Sequence, residues 1–76
     1  MDLQSAIESR LADRFRDAAF SVEVSGNHAQ ISIATSQFEG LTPVKRQQLV
    51  YGCLTELIRT GELHAVTIKA KTAESS

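Results

Sequence analysis

Phe20-Ser21-Val22-Glu23-Val24-Ser25-Gly26-Asn27-His28-Ala29-Gln30-Ile31-Ser32-Ile33-Ala34 decides the fold. Apolar and polar residues alternate twice along it. Phe20, Val22 and Val24 alternate with Ser21, Glu23 and Ser25, the period of a half-buried strand. Ala29, Ile31 and Ile33 alternate with Gln30, Ser32 and Ala34 in the same way. Between them Gly26-Asn27 supplies turn chemistry. Two strands so close, joined by so short a Gly/Asn turn, predict an antiparallel hairpin.

On either side of this hairpin the period changes to that of a helix. Upstream, Leu3, Ala6, Ile7, Leu11, Phe15 and Ala18 recur every three or four residues, which predicts a first helix from Asp2 to about Ala19. Asp2 is placed to cap its start. Downstream, Thr35 to Leu41 reads as a connector with Phe38 as its apolar anchor and Gly40 as a turn point. Thr42-Pro43 then combines an N-cap with a proline suited to the first helical position. The stripe Val50, Cys53, Leu54, Leu57 and Ile58 carries a second helix to Thr60, with Val44, Leu49 and Tyr51 at its margins and Gly61 as the left-handed stop. His64, Val66, Ile68 and Ala70 alternate with Ala65, Thr67, Lys69 and Lys71 as a third strand. The expected fold is α+β, in the order α-β-β-α-β. Two helices pack on one face of a three-stranded sheet, mixed because a helix crosses between strands two and three. Residues 1–72 form one domain, and residues 73–76 are expected to fray.

Seventy-six residues leave room for one thin core, since a chain near this size buries only about 60% of its unfolded surface. A deep water-excluding cleft is not expected, and neither is an enzyme. Walker A, GxGxxG, GxSxG, HExxH and CxxC patterns are all missing. One cysteine allows no internal disulfide and, with two histidines, no self-sufficient structural zinc site. A net charge of −1 gives no global pull toward nucleic acid or anionic membrane. No apolar run approaches the length of a bilayer span, and no secretory signal is visible at the start. The expected compartment is a reducing cytoplasm.

Few residues remain for chemistry. His64, at the mouth of the third strand, is either a strand-end histidine capping the core or an imidazole offered to a metal. His28, just after the hairpin turn, reads as a solvated turn residue. Cys53 sits on the helix stripe and reads as packing. Lys45 and Arg46 in the second helix, with Lys69 and Lys71 on the third strand, are either a basic patch or ordinary solvated surface. Aromatic residues are too few for base stacking.

The run Phe38-Glu39-Gly40-Leu41-Thr42-Pro43-Val44-Lys45-Arg46-Gln47-Gln48-Leu49-Val50-Tyr51 resembles the central signature of BolA-like proteins. The run Leu63-His64-Ala65-Val66-Thr67-Ile68-Lys69-Ala70-Lys71-Thr72 resembles their closing strand. Val22-Glu23-Val24 with Asn27-His28 resembles the segment around their first turn. The likeness spans nearly the whole chain, and Lys45-Arg46-Gln47-Gln48 with the short hairpin is similar to the YrbA/IbaG-type subgroup. It implies a topology like that of class II KH domains, often with a short extra helix before the second main one. It also implies a non-enzymatic partner of monothiol CGFS-type glutaredoxins, sharing a [2Fe–2S] cluster in iron–sulfur trafficking and iron homeostasis.

In that family the strand-three histidine, matched by His64, ligates the cluster. A cluster needs four ligands. The resemblance implies that the glutaredoxin cysteine and a bound glutathione supply two and His64 a third. The fourth would come from the hairpin region. Many relatives carry a cysteine or histidine in a longer loop there, whereas Ser25-Gly26-Asn27 contains neither. That leaves His28, a partner residue or solvent. Imidazole ligation is expected to raise the reduction potential and to permit loss of the cluster on protonation. No cofactor is expected in the isolated chain, which would be a monomer or weak homodimer. The alternative function is DNA-binding transcriptional regulation through Lys45, Arg46, Lys69 and Lys71. Against it, no two glycines have the spacing of the KH GxxG clamp.

Overall fold

The computed structural model describes residues 2–72. The elements are α1 (Leu3–Arg14), β1 (Ala19–Ser25), β2 (His28–Ala34), a 3-10 turn (Ser36–Phe38), α2 (Pro43–Arg59) and β3 (Ala65–Lys71). The expected fraying of residues 73–76 lies outside the described residues. No helix among the described residues is long and apolar enough to cross a membrane.

The hairpin forms as its alternation requires. Ser25 faces His28 across a two-residue loop, and the antiparallel register runs back to Ala19 opposite Ala34. Gly26 has φ +61 and Asn27 does not leave the negative region, the pattern of a II′ turn. β3 pairs in parallel with β2, from Ala65 beside His28 to Lys71 beside Ala34. The sheet order is β1-β2-β3. Val22, Ala29, Ile31 and Ile33 are buried, whereas Ser21, Glu23, Gln30 and Ser32 are exposed. One face therefore carries both helices and the other is open, as the sequence predicts.

α1 caps on Asp2, whose carboxylate accepts the Ser5 N–H at 2.8 Å. It ends five residues before the expected Ala19. Phe15 leaves the helix at φ −125, ψ 81 and inserts a fully buried ring edge-on to Phe38, with centroids 5.5 Å apart. The helical spacing of Phe15 and Ala18 thus continues past the helix itself. Releasing Asp17 from the helix also satisfies a buried polar group. Its carboxylate accepts from the Thr35 hydroxyl (2.9 Å), the Ser36 hydroxyl (3.0 Å) and the Gln37 amide (3.2 Å). Thr35 is fully buried, so these bonds tie the α1–β1 turn to the exit of β2 without leaving its hydroxyl unpaired. The connector contains the Ser36–Phe38 turn, in keeping with the short extra helix that the resemblance implies.

α2 starts at Thr42, whose hydroxyl accepts the Lys45 N–H, with Pro43 at the first position. Its buried stripe is Val50, Leu54 and Leu57. β3 is one residue shorter at its start than expected: His64 precedes it.

Truncating Phe38→Ala removes a fully buried ring and should cost about 3–5 kcal/mol in urea unfolding. Asp17 has a distinct pH signature. The Thr35 hydroxyl first, then the Gln37 amide and the Ser36 hydroxyl, hold its carboxyl below the ordinary 3.8. The associated stability is present above pH 3.8 and is lost as pH falls through the lower folded value. Asp17→Asn should therefore flatten the acid limb of the melting temperature against pH relative to the unmodified protein.

Candidate functional site

The end of α2 is built to deliver His64 to the sheet. Gly61 takes φ +86 after Thr60, and its N–H donates to the Ile58 carbonyl. Only glycine adopts this left-handed conformation readily. The chain then turns back, with the Leu63 N–H donating to the Leu57 carbonyl at 3.1 Å. The fully buried Leu63 side chain anchors the turn in the core. His64 follows at once. Its N–H donates to the Asn27 carbonyl at 2.8 Å, and the Ala65 N–H reaches the same oxygen at 3.4 Å. The hairpin loop and the α2–β3 connection are thereby fastened together at His64.

With the backbone fixed at both sides, the His64 side chain remains exposed. Its Nε2 lies 3.8 Å from where a Cβ on Gly61 would stand. None of its ring nitrogens has a hydrogen-bond partner among the described residues. An exposed imidazole on a fixed backbone, with no internal partner, has the chemistry of a ligand presented outward.

His28 is placed differently. It opens β2 on the open face of the sheet, where Nε2 lies 3.4 Å from the Thr67 hydroxyl. His64 sits beside Gly61, at the end of the helix layer. The two histidines share one end of the sheet but approach it from different faces. Among the described residues no group of three or more His, Cys, Asp or Glu side chains converges to hold a metal. The donor set fits a cluster only as one imidazole offered to ligands brought by another molecule.

Cys53 lies elsewhere, in the cleft between α1 and α2 with Arg10 and Arg14. It is half-buried and its Sγ lies 3.4 Å from the Leu49 carbonyl. Burial pushes its thiol pKa up, against smaller opposing pulls from Arg14 and Arg10. Packing is its role here, as its position on the helix stripe predicts.

The four basic candidates divide between two faces. Lys69 and Lys71 stand together on the open face of β3. Lys45 and Arg46 lie in the helix layer, where the Arg46 Nε–H donates to the Leu41 carbonyl at 3.0 Å. Sequence reasoning also passed over a groove between α2 and β3, lined by Val44, Gln47, Tyr51, Val66 and Ile68 among others. Its signal was present as Val44 and Tyr51 at the margin of the helix stripe, the only large hydrophobics among the described residues that stand exposed.

A sequence model of BolA-like proteins matches residues 6–75. An uncharacterized protein from the rpoN–murA intergenic region of Acinetobacter guillouiae is 47% identical over 60 residues, covering 79% of this chain and 72% of that one. The acid stress protein IbaG of Escherichia coli K12 is 39% identical over 66 residues, covering 87% and 79%. Among solved structures, BolA1 of Arabidopsis thaliana superposes with TM-score 0.87 at 30% identity, over 100% of this chain and 99% of that one. The BolA domain of SufE1 from the same plant gives TM-score 0.88 at 27% identity, covering 96% and 94%.

Two glycines should respond in opposite directions to the same substitution. Gly61→Ala forces a Cβ into the left-handed region and should cost about 1–2 kcal/mol. Gly52 lies within α2, with nothing within 4 Å of an added Cβ. Gly52→Ala should stabilise by about 0.5–1 kcal/mol. Paired urea titrations measure both.

Proposed function

Because the chain belongs to the BolA-like family, we propose that it is a non-enzymatic partner of a monothiol CGFS-type glutaredoxin, sharing or passing on a [2Fe–2S] cluster. His64 is the ligand it contributes. The observation that carries this reading is the exposed imidazole of His64, without a hydrogen-bond partner among the described residues, on a backbone fastened to Asn27 at 2.8 Å. The cluster is cargo. One imidazole from this chain would join the glutaredoxin cysteine and its bound glutathione, and a fourth donor completes the set. That fourth donor is a partner residue or solvent, because His28 stands on the open face of the sheet, where its Nε2 lies 3.4 Å from the Thr67 hydroxyl.

The reading places the protein in the cytoplasm and links it to iron homeostasis. A stress role is in keeping with the relative named for acid stress.

The direct test mixes the purified protein with cluster-loaded monothiol glutaredoxin and follows visible circular dichroism and co-elution. A new spectrum and a heterocomplex are expected. His64→Ala should alter the spectrum or speed cluster loss while the far-ultraviolet spectrum stays unchanged, because the side chain is exposed and makes no internal hydrogen bond. An unchanged spectrum on mixing, with no co-elution, contradicts the proposal. A His64→Ala protein that behaves like the unmodified one removes His64 from it.

A further inference from the structure

β3 is an edge strand, paired on one side only. Its outward groups can be identified. The Ala65 N–H reaches Asn27 of the neighbouring chain segment, and the Lys71 carbonyl accepts from the Thr35 N–H. In a parallel ladder alternate residues bond to the same neighbour. Ala65, Thr67, Lys69 and Lys71 therefore face β2. Val66, Ile68 and Ala70 direct their N–H and C=O groups to the open edge.

The same three residues point their side chains toward the helix layer, and none is fully covered there. α1, β1, β2 and α2 each supply buried apolar residues, whereas those of β3 are only partly buried. The gap beside Val66 and Ile68 is the groove of about 520 Å³ shared with α2. Val44 (65% exposed) and Tyr51 (44% exposed) form its outer wall. Free backbone groups and an apolar groove thus lie along one strand. On the other side of that strand, Lys69 and Lys71 stand on the open face.

We propose that β3 is a docking edge for an extended peptide segment of a protein partner whose residues alternate between apolar and acidic. Its backbone adds a fourth strand to the sheet. Alternate side chains enter the groove against Val66, Ile68, Tyr51 and Val44, and the intervening carboxylates lie beside Lys69 and Lys71. Backbone pairing supplies affinity and the alternating sites supply specificity. The charges argue against a second copy of this chain. Antiparallel self-pairing centred on Ile68 would set Lys69 of each copy opposite Thr67, leaving the two Lys69 ammonium groups at diagonal spacing on one face, where like charges repel. An acidic strand neutralises the same two lysines. The inference does not depend on cluster ligation, since the groove borders the first half of α2 and His64 lies beyond its far end.

Isotope-labelled protein titrated with a synthetic, end-blocked eight-residue peptide of alternating valine and glutamate tests this by nuclear magnetic resonance. Saturable shifts confined to the β3 amides and the groove are expected, with slowed exchange at Val66, Ile68 and Ala70. The double variant Val44→Ser, Tyr51→Ala should weaken binding by about tenfold or more. Both residues are exposed, and far-ultraviolet circular dichroism checks the fold. An alternating valine–lysine peptide should bind more weakly, and Lys69→Glu with Lys71→Glu should invert that preference. His64→Ala should bind the valine–glutamate peptide unchanged even if it fails with glutaredoxin. The proposal is overturned if neither peptide gives saturable shifts at β3, or if an oligothymidine takes this edge in preference to the valine–glutamate peptide. Sedimentation showing self-association through β3 without peptide overturns it too.

Discussion

The parallel pairing of β2 with β3 is the constraint on which the rest depends. A chain leaving β2 must travel back the full length of the sheet before it can start a parallel neighbour. α2 does this. Its 17 residues span about 25 Å at ~1.5 Å per residue, against about 23 Å for the seven residues of β3 at ~3.3 Å each. The match puts the end of α2 level with the start of β3, so a single tight turn at Gly61 connects them. That turn is where His64 emerges, beside the hairpin loop and fastened to it. Presentation of the imidazole is therefore a consequence of how the crossover closes.

The same constraint explains why the edge is sticky. The two helices cover the sheet unevenly: the residues facing them are buried on β2 and only partly buried on β3. Among the described residues twelve buried apolar residues form the core, and none comes from β3. The strand that the crossover adds last is left with free backbone groups and half-covered side chains. Its lysines then serve two ends. They discourage uncontrolled strand addition, and they set the charge that a specific partner must carry.

Much of this was legible in the sequence, because it rests on local periodicity. Alternation gave the hairpin and its burial; Thr42-Pro43 and Gly61 bounded α2 correctly. The first helix was read too long because Phe15 and Ala18 keep helical spacing while serving another purpose. Phe15 meets Phe38, and Asp17 meets Thr35, Ser36 and Gln37, all 18 or more residues away, so no local pattern announces them. His64 was placed inside the strand because alternation cannot mark where a ladder begins. The candidate site was legible only through likeness to other sequences, because spacing alone favoured a structural role for His64 at the strand end. The division of the basic residues between two faces, and the groove beside Tyr51, required the packing of α2 against β3.

The central claim is that this chain supplies one imidazole to a site another protein completes. Pulsed electron paramagnetic resonance on the reduced cluster of the heterocomplex, with this chain alone labelled with nitrogen-15, reads that bond directly. Strong nitrogen-15 coupling that disappears in His64→Ala is the expected result. A cluster bound in the heterocomplex with no nitrogen-15 coupling from this chain, or with coupling that survives the loss of His64, would contradict the claim.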